Sequence, residues 1–320
     1  MQRGLERRMV VLLVGKYMQH ELDLLREEIE SKNVGVEVIN TDDWPSNKPI
    51  THSIAGGEIS VGNVSLLLSE VEGLFVRQNG LFIPSVEDHQ EGFVSEDENP
   101  YAALTQLREY RGFFRSLVRG VADTGGRVAP GVDALSWQEE SIHACHLLAR
   151  NSIETPESIV TTDEEEAVNF LKEQGKVVYK PVAELGEANL MKEEESHKLA
   201  DLTTPVLFQE LVPGEDVRAY VVNGEFVGAF RYVNPGDGFS FKMETDNPEV
   251  APVDLNSEAV ADIRRSVSLS PLNFAAVDLR FTSTQEHTVL EVNAGGRFML
   301  ADSKGVTNVT SPLAGFLTES

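Results

Sequence analysis

The sequence predicts an α/β protein in two parts. A parallel sheet opens the chain, and an α+β body of antiparallel hairpins follows. Three observations predict this. Met9–Val14 is an unbroken apolar run, His20–Glu30 places Leu22, Leu25 and Ile29 at helical spacing, and Val34–Asn40 reads as a second strand. That β-α-β order implies parallel strands joined by a right-handed crossover. Asn223-Gly224, between the alternating runs Asp216–Val222 and Glu225–Tyr232, is a two-residue hairpin signal. Near the C-terminus, Phe274–Thr282 and Thr288–Asn293 read as another hairpin across Ser283–Glu286.

Composition narrows the class. With 320 residues and 41% apolar content the chain is long enough for about two domains, and no apolar run reaches membrane-spanning length. The basic start and the apolar run Met9–Val14 imitate a signal peptide. The run is too short, and Gly15 and Lys16 end it without a cleavage site, so a first strand is expected. Cys145 is the single cysteine, which precludes an intrachain disulfide and points to the cytoplasm. Its place beside Ile142, Leu147 and Leu148 predicts a buried structural thiol. Net charge is −25, which argues against nucleic-acid partners. Ten lysines against 17 arginines, with acids spread along the chain, predict a cytosolic protein adapted to high salt.

The remaining elements follow in order. Ile50–Ile54 and Glu58–Leu68 flank Ala55-Gly56-Gly57 as a hairpin, and Gly73–Arg77 is a short strand. His89–Glu98 is an acidic loop. Asn99-Pro100 opens a helix running through Arg119, and Ser136-x-x-Glu139 is a capping box opening another to about Arg150. The expected boundaries are an N-terminal domain at 1–98, a helical connector at 99–150 and a C-terminal domain at 151–320. There, Thr155–Val160 is a strand, and Thr162-x-x-Glu165 caps a helix ending at Gly175. Val177–Pro181 is a strand, Gly186 lies in a loop, and Glu193–Ala200 is a short helix. Pro205–Pro213 is a strand, Ser257–Ser270 a helix, and Thr310 starts the last helix.

The chemistry-bearing residues sit on these strands. Asp278 shares parity with Arg280, and Glu291 shares parity with Asn293, so pairing can converge Asp278, Glu291 and Asn293. Two carboxylates and an amide suit a hard cation such as Mg²⁺, although a solvated sheet face carries the same residues. Lys180 ends a strand before a glycine-bearing loop, where its ammonium can meet phosphate oxygens. Gln209, Glu210, Leu211 and Val212 form a strand end able to flank a flat base, and Asp216 can accept from ribose hydroxyls. Arg218 and Arg231 lie on the two strands of the Asn223-Gly224 hairpin, as candidates to stabilise a transferring phosphoryl group.

Taken in order, Lys180, Gln209-Glu-Leu-Val-Pro-Gly, Asp216-Val-Arg218, Arg231, Asp278 and Leu290-Glu291-Val-Asn293 resemble the ATP-grasp fold, and within it the RimK-like carboxylate–amine ligases. The likeness covers roughly residues 140–320. Val178-Tyr-Lys180-Pro181 and Glu291-x-Asn293-x-x-Gly296 resemble the branch that modifies ribosomally made peptides. The resemblance implies a pre-ATP-grasp domain followed by two antiparallel-sheet lobes gripping ATP with Mg²⁺ or Mn²⁺. By it, Lys180 binds phosphates, Glu210 and Leu211 hold adenine, Asp216 holds ribose, and Asp278, Glu291 and Asn293 hold metal. Lys242 stands where relatives place further nucleotide contacts. The implied reaction activates a carboxylate as an acyl phosphate for attack by an amine, on a small-molecule or peptide substrate. Two departures stand against this. A second phosphate-binding lysine, expected near Ser141, is missing, and the Gly186 loop holds one glycine and two acids. They favour the alternative, a non-ligating nucleotide-binding or regulatory protein; a small-molecule kinase is a third reading.

Overall fold

A computed structural model describes residues 9–15, 20–41, 49–61, 64–77, 100–183, 188–199, 202–233, 248–282 and 286–319. The His89–Glu98 loop, Asn99, Gly186, Lys242 and residues 283–285 of the expected C-terminal turn lie outside them. The chain forms two compact units.

The first unit holds the residues up to Val132, Arg297–Met299 and the C-terminal residues from Val309. Its strands are β1 (Val10–Gly15), β2 (Gly35–Asn40), β3 (Ile50–Ser53), β4 (Glu58–Val61), β5 (Val64–Leu67), β6 (Val71–Val76) and β7 (Arg127–Ala129). β2-β1-β6-β7 form a parallel sheet, as the opening β-α-β pattern predicted. Every residue of β1 is buried, the continuous apolar pattern of a parallel strand covered on both faces. Helix α1 (His20–Ser31) buries Leu22, Leu25 and Ile29. The C-terminal helix Thr310–Thr318 comes so close to β6 that a Cβ on Gly73 would strike the Leu317 carbonyl. Helix α2 (Pro100–Asp123) buries Phe114, Leu117, Val118 and Val121. Glu21 of α1 makes a buried ion pair with Arg77 and accepts from the Phe298 N–H at 3.2 Å. The expected Glu58–Leu68 strand is instead two strands, and β3-β4-β5 form an antiparallel sheet. In sequence, Gly62-Asn63 stands between β4 and β5, a pair of turn-favouring residue types inside an otherwise strand-like run.

The second unit holds Asp133–Gly296 and Leu300–Asn308. It begins with helices α3 (Ala134–Glu139) and α4 (Ser141–Arg150), separated by Glu140. Ser136 therefore lies inside a short helix and does not cap a long one. Trp137, Ala144 and Leu148 join the core of this unit, so the segment expected as a connector is divided, with α2 in the first unit and α3 and α4 in the second. Cys145 is half-buried, not buried, and Ile142 is exposed, because the inward face of α4 is Ser141, Ala144 and Leu148.

Two antiparallel sheets follow. The smaller is β10-β9-β11-β8, from β8 (Ser158–Thr161), β9 (Lys176–Pro181), β10 (Asn189–Lys192) and β11 (Val206–Glu210). Helix α5 (Glu164–Gln174) packs Ala167, Phe170 and Leu171 against Val177, Met191 and Phe208. Its N-cap is Asp163, not Thr162: the Asp163 carboxylate accepts from the Glu165 N–H at 2.8 Å. The short strand β10 was hidden between polar residues. The larger sheet is β14-β13-β12-β15-β16, from β12 (Glu215–Val222), β13 (Glu225–Tyr232), β14 (Val250–Pro252), β15 (Phe274–Phe281) and β16 (His287–Ala294). Asn223 and Gly224 have φ of 49° and 80°, the left-handed pair a tight hairpin turn needs. One face packs Val217, Ala219, Val221, Val277 and Leu279 against Ala259, Ile263 and Val267 of helix α6 (Ser257–Ser268). The edge strand β16 is covered: the Trp137 indole N–H donates to the Val292 carbonyl at 2.8 Å, and the Val289 N–H to the Glu154 carbonyl at 2.8 Å. Helices α7 (Met299–Ser303) and α8 (Thr310–Thr318) end the chain. No helix of the described residues is long and apolar enough to cross a membrane.

Candidate active site

The opposite face of the larger sheet is polar along one band. Side chains of directly paired residues share a face in an antiparallel ladder. Asp216 pairs with Arg280, Arg218 with Asp278, and Asp278 with Glu291. The last pairing depends on a bulge. Leu279 pairs with Val289 while Asp278 pairs with Glu291, so one residue of β16 is left over. Without that extra residue, Glu291 would oppose Val277 and point into the apolar core. The bulge re-aims it beside Asp278, a common use of bulges at functional sites.

The cluster is tightly paired. Arg218 forks onto Asp278, with Nε to Oδ1 and Nη2 to Oδ2 both at 2.8 Å. Asn293 Nδ2 donates to Asp278 Oδ2 at 2.9 Å. Lys180, at the end of β9 on the smaller sheet, reaches Glu291 Oε2 at 3.0 Å. The side chains of Lys180 and Glu291 are 11% and 27% exposed, and those of Arg218 and Asp278 are 13% and 8% exposed. Burial disfavours the Arg218 charge, but the Asp278 charge and hydrogen bonds outweigh it and hold Arg218 well above the ordinary arginine value. Burial raises the Tyr220 hydroxyl far above its usual range, so it stays neutral beside the pair.

Next to this cluster, Arg280 Nε lies 3.3 Å from Asp216 Oδ1, and its Nη1 donates to the Gly214 carbonyl at 2.7 Å. Arg280 thereby fixes both the acid expected at the ribose and the turn that carries the chain from β11 to β12. Gln209 is buried, and its amide donates to Ser158 Oγ at 3.1 Å. The Glu210 N–H donates to the Glu157 carbonyl, and Leu211 and Val212 are half-buried in the connection to β12.

The structure thus brings together Lys180, Arg218, Asp278, Glu291 and Asn293. It does not bring Arg231 to them. Arg231 pairs with Val217, on the other face of the sheet, and makes a surface ion pair with Glu215 at 3.2 Å. The strand parity of Arg218 and Arg231 relative to their shared turn decides this. The Tyr220–Val221 bulge lies between them and scrambles a simple count from Asn223-Gly224. Sequence reasoning missed the role of Arg280, whose signal was its shared parity with Asp278. It also missed Tyr220, which reads in sequence as an ordinary core residue. Ser141 is buried, and its hydroxyl donates to the Val182 carbonyl at 2.6 Å, so the place expected for a second lysine ties α4 to the turn after Lys180.

Among the described residues no group of three His, Cys, Asp or Glu side chains could hold a metal alone. Two carboxylates with an amide oxygen fit instead a cation that takes its remaining ligands from phosphates, the usual habit of Mg²⁺.

Comparison with known proteins agrees with this geometry. The family profile described as a RimK-like ATP-grasp domain matches residues 138–315, more than half of the chain. The chain belongs to the RimK-like ATP-grasp family. Among solved structures, the ATP-grasp ligase PsnB complexed with minimal precursor superposes with a TM-score of 0.80 at 21% identity, covering 97% of this chain and 98% of that one. The macrocyclase MdnC bound with precursor peptide MdnA, from Microcystis aeruginosa MRC, gives 0.77 at 18% identity over 98% and 100% of the two chains. The Chryseobacterium gregarium RiPP-associated ATP-grasp ligase, in complex with ADP and a leader and core peptide, gives 0.76 at 17% identity over 97% and 96%. At these identities the likeness establishes the fold. A glutathione synthetase from Thermosynechococcus vestitus is 29% identical over 102 residues, 28% of this chain; the match spans about a third, 32%, of that relative. The RimK-like match begins at Gln138, inside α3 and one residue after Trp137, and takes in α4 and both antiparallel sheets.

Proposed function

We propose that this RimK-like protein is an ATP-dependent ligase. It activates a carboxylate as an acyl phosphate for attack by an amine, and a peptide is its substrate. Lys180 on the smaller sheet meeting Glu291 on the larger one, beside Arg218, Asp278 and Asn293, carries the reading. A cation site for phosphate oxygens and a lysine for the same oxygens lie within one hydrogen bond of each other.

Mg·ATP, when bound, supplies the phosphoryl group that the substrate carboxylate receives. The chain's own residues do the positioning, which is most of what phosphoryl transfer asks of a protein. Lys180 would bind the phosphates. Asp278, held in one orientation by the Arg218 fork, and Glu291 and Asn293 would hold the metal. Leu211 and Val212 would flank the base, Glu210 its edge, and Asp216, steadied by Arg280, would accept from the ribose. Arg218 adds positive charge near the transferring group; Arg231, across the sheet, is assigned no part. That solved neighbours of this fold were captured with precursor peptides and with ADP supports a peptide substrate and a nucleotide. The acidic, lysine-poor composition supports a cytosolic, salt-adapted protein.

Ser141 in place of a second lysine favours one competing reading, a nucleotide binder that does not ligate. ADP release decides between them. With Mg·ATP, salt and a panel of acid-containing peptides, a ligase releases ADP only when a peptide and an acceptor amine are present. Nucleotide binding with no peptide-dependent ADP release across the panel overturns the ligase assignment.

A further inference from the structure

Gln209 is a buried amide, 6% exposed, whose two ends have different surroundings. Its Nε2 donates to Ser158 Oγ at 3.1 Å, and no described residue donates to its Oε1. Ser158 stands directly opposite Gln209 in the β8–β11 ladder, so the two share a face. Gln209 also lies two residues from Leu207, the ladder partner of Lys180, and so occupies the face of the smaller sheet that carries Lys180. The other face, with Val177 and Phe208, packs on α5. The amide therefore stands on the Lys180 face, just ahead of Glu210, Leu211 and Val212, which the reading above places around the base.

A third group decides which end of the amide meets Ser158. A serine hydroxyl has a single proton, and that of Ser158 goes to the Pro156 carbonyl at 2.8 Å. Ser158 Oγ is then left as an acceptor, and Gln209 has to offer it N–H. A turned-over amide would set Oε1 against Oγ, acceptor against acceptor. Pro156 itself is buried, on a strap held on either side of it: Val289 N–H donates to the Glu154 carbonyl, and Glu210 N–H to the Glu157 carbonyl. The relay thus runs one way, from Gln209 to Ser158 to Pro156. It leaves Oε1, an acceptor, as the end of the amide for a ligand.

We propose that Ser158 is a positioning residue that makes the site select a 6-amino purine, adenine, over a 6-oxo purine such as hypoxanthine or guanine. Gln209 Oε1 accepts from the exocyclic amino group. A 6-oxo base brings an oxygen to that oxygen and leaves both without a proton to share. The selectivity comes from Ser158 because an amide is nearly symmetric in shape. Without the hydroxyl nothing holds Gln209 in one orientation, and it turns over to offer Nε2 to a 6-oxo base. This rests on the nucleotide reading above and concerns only which base the site takes.

The test is calorimetry on the full chain with Mg²⁺ and no peptide, comparing ADP, purine riboside diphosphate and IDP. Wild type binds ADP about tenfold or more tightly than IDP, the effect of one hydrogen bond replaced by two facing acceptors. Purine riboside diphosphate, which lacks the 6-amino group and puts no oxygen in its place, falls between them. In S158A the ratio of ADP to IDP affinity drops to about twofold or less, chiefly because IDP binds better. S158T, which keeps the hydroxyl, keeps the wild-type ratio. Circular dichroism checks that each variant is folded; should S158A not fold, Q209L serves instead, and it binds ADP and IDP alike. Equal binding of ADP and IDP by wild type overturns the proposal, as does a wild-type ratio in folded S158A or in Q209L. Both results leave the nucleotide reading standing. Binding of none of the three nucleotides overturns that reading and this proposal together.

Discussion

Replacing Lys180 with Met probes the heart of the site, because the expected effects on its two ligands have opposite signs. Lys180 holds Glu291 through one charge-assisted hydrogen bond of 3.0 Å. Lys180, Arg218, Asp278 and Glu291 together sum to zero charge, so a lone divalent cation meets a neutralised site and must displace Lys180. The Lys180→Met substitution removes that competitor at similar volume and leaves the group at −1. A hydrogen bond to a charged group contributes about 1.5–3 kcal/mol. Glu291 is 27% exposed, so the lower end applies. About 1.4 kcal/mol is tenfold. The variant should therefore bind Mn²⁺ about tenfold more tightly than wild type without nucleotide, read by electron paramagnetic resonance of free Mn²⁺. Calorimetry should show ADP bound at least about tenfold more weakly, through loss of the phosphate contact. An unchanged or weaker affinity for Mn²⁺ alone would refute the idea that Lys180 stands in for a cation at Glu291. Unchanged ADP affinity would refute its phosphate role.

Other perturbations reach the supports of the site. Arg218→Met removes the two fork hydrogen bonds from the buried Asp278 carboxylate, and should cost about 3 kcal/mol in urea unfolding, as breaking buried pairs does; a loss under about 1 kcal/mol would show that the pair is solvated. Trp137→Phe removes the donor that covers the Val292 carbonyl on β16, and a drop of about 1–2 kcal/mol in the same assay is expected. Gly296→Ala places a methyl group against Ala276 Cβ, three residues after Asn293. Something must shift there, and Mn²⁺ affinity in the presence of ADP should fall while ADP affinity without metal holds; equal losses in both would point to general unfolding of the lobe.

Much of the fold could be read because periodicity carries it. The buried run Val10–Val14, the Asn223-Gly224 turn and the β15–β16 hairpin each follow from local pattern. Asp278, Glu291 and Asn293 were expected to converge, and they do. The reason, however, was hard to read in the sequence: a bulge in β16 puts Glu291 on the Asp278 face, and its trace is a three-residue step between the core residues Val289 and Val292, masked by the apolar Leu290 between them. Arg231 shows the converse. Two arginines on adjacent strands look equivalent until pairing assigns each a face, and only Arg218 faces the carboxylates. The expected single helix is two, α3 and α4, because Ser136-x-x-Glu139 mimics a cap inside a short helix whose real constraint is tertiary, Trp137 packing on β16. Arg280 was visible by parity, but its hold on Gly214 and Asp216 depends on how β12 and β15 align.

Mn²⁺ binding to the ADP-saturated protein, in wild type and Glu291→Gln, tests the central claim most directly. If Asp278, Glu291 and Asn293 hold the nucleotide's metal, the variant loses Mn²⁺ affinity by about tenfold or more. Metal-free ADP binding then stays the same or tightens, since Lys180 is no longer held by a carboxylate. Equal Mn²⁺ affinity in the two proteins would contradict the metal assignment, and with it the proposed placement of the phosphates.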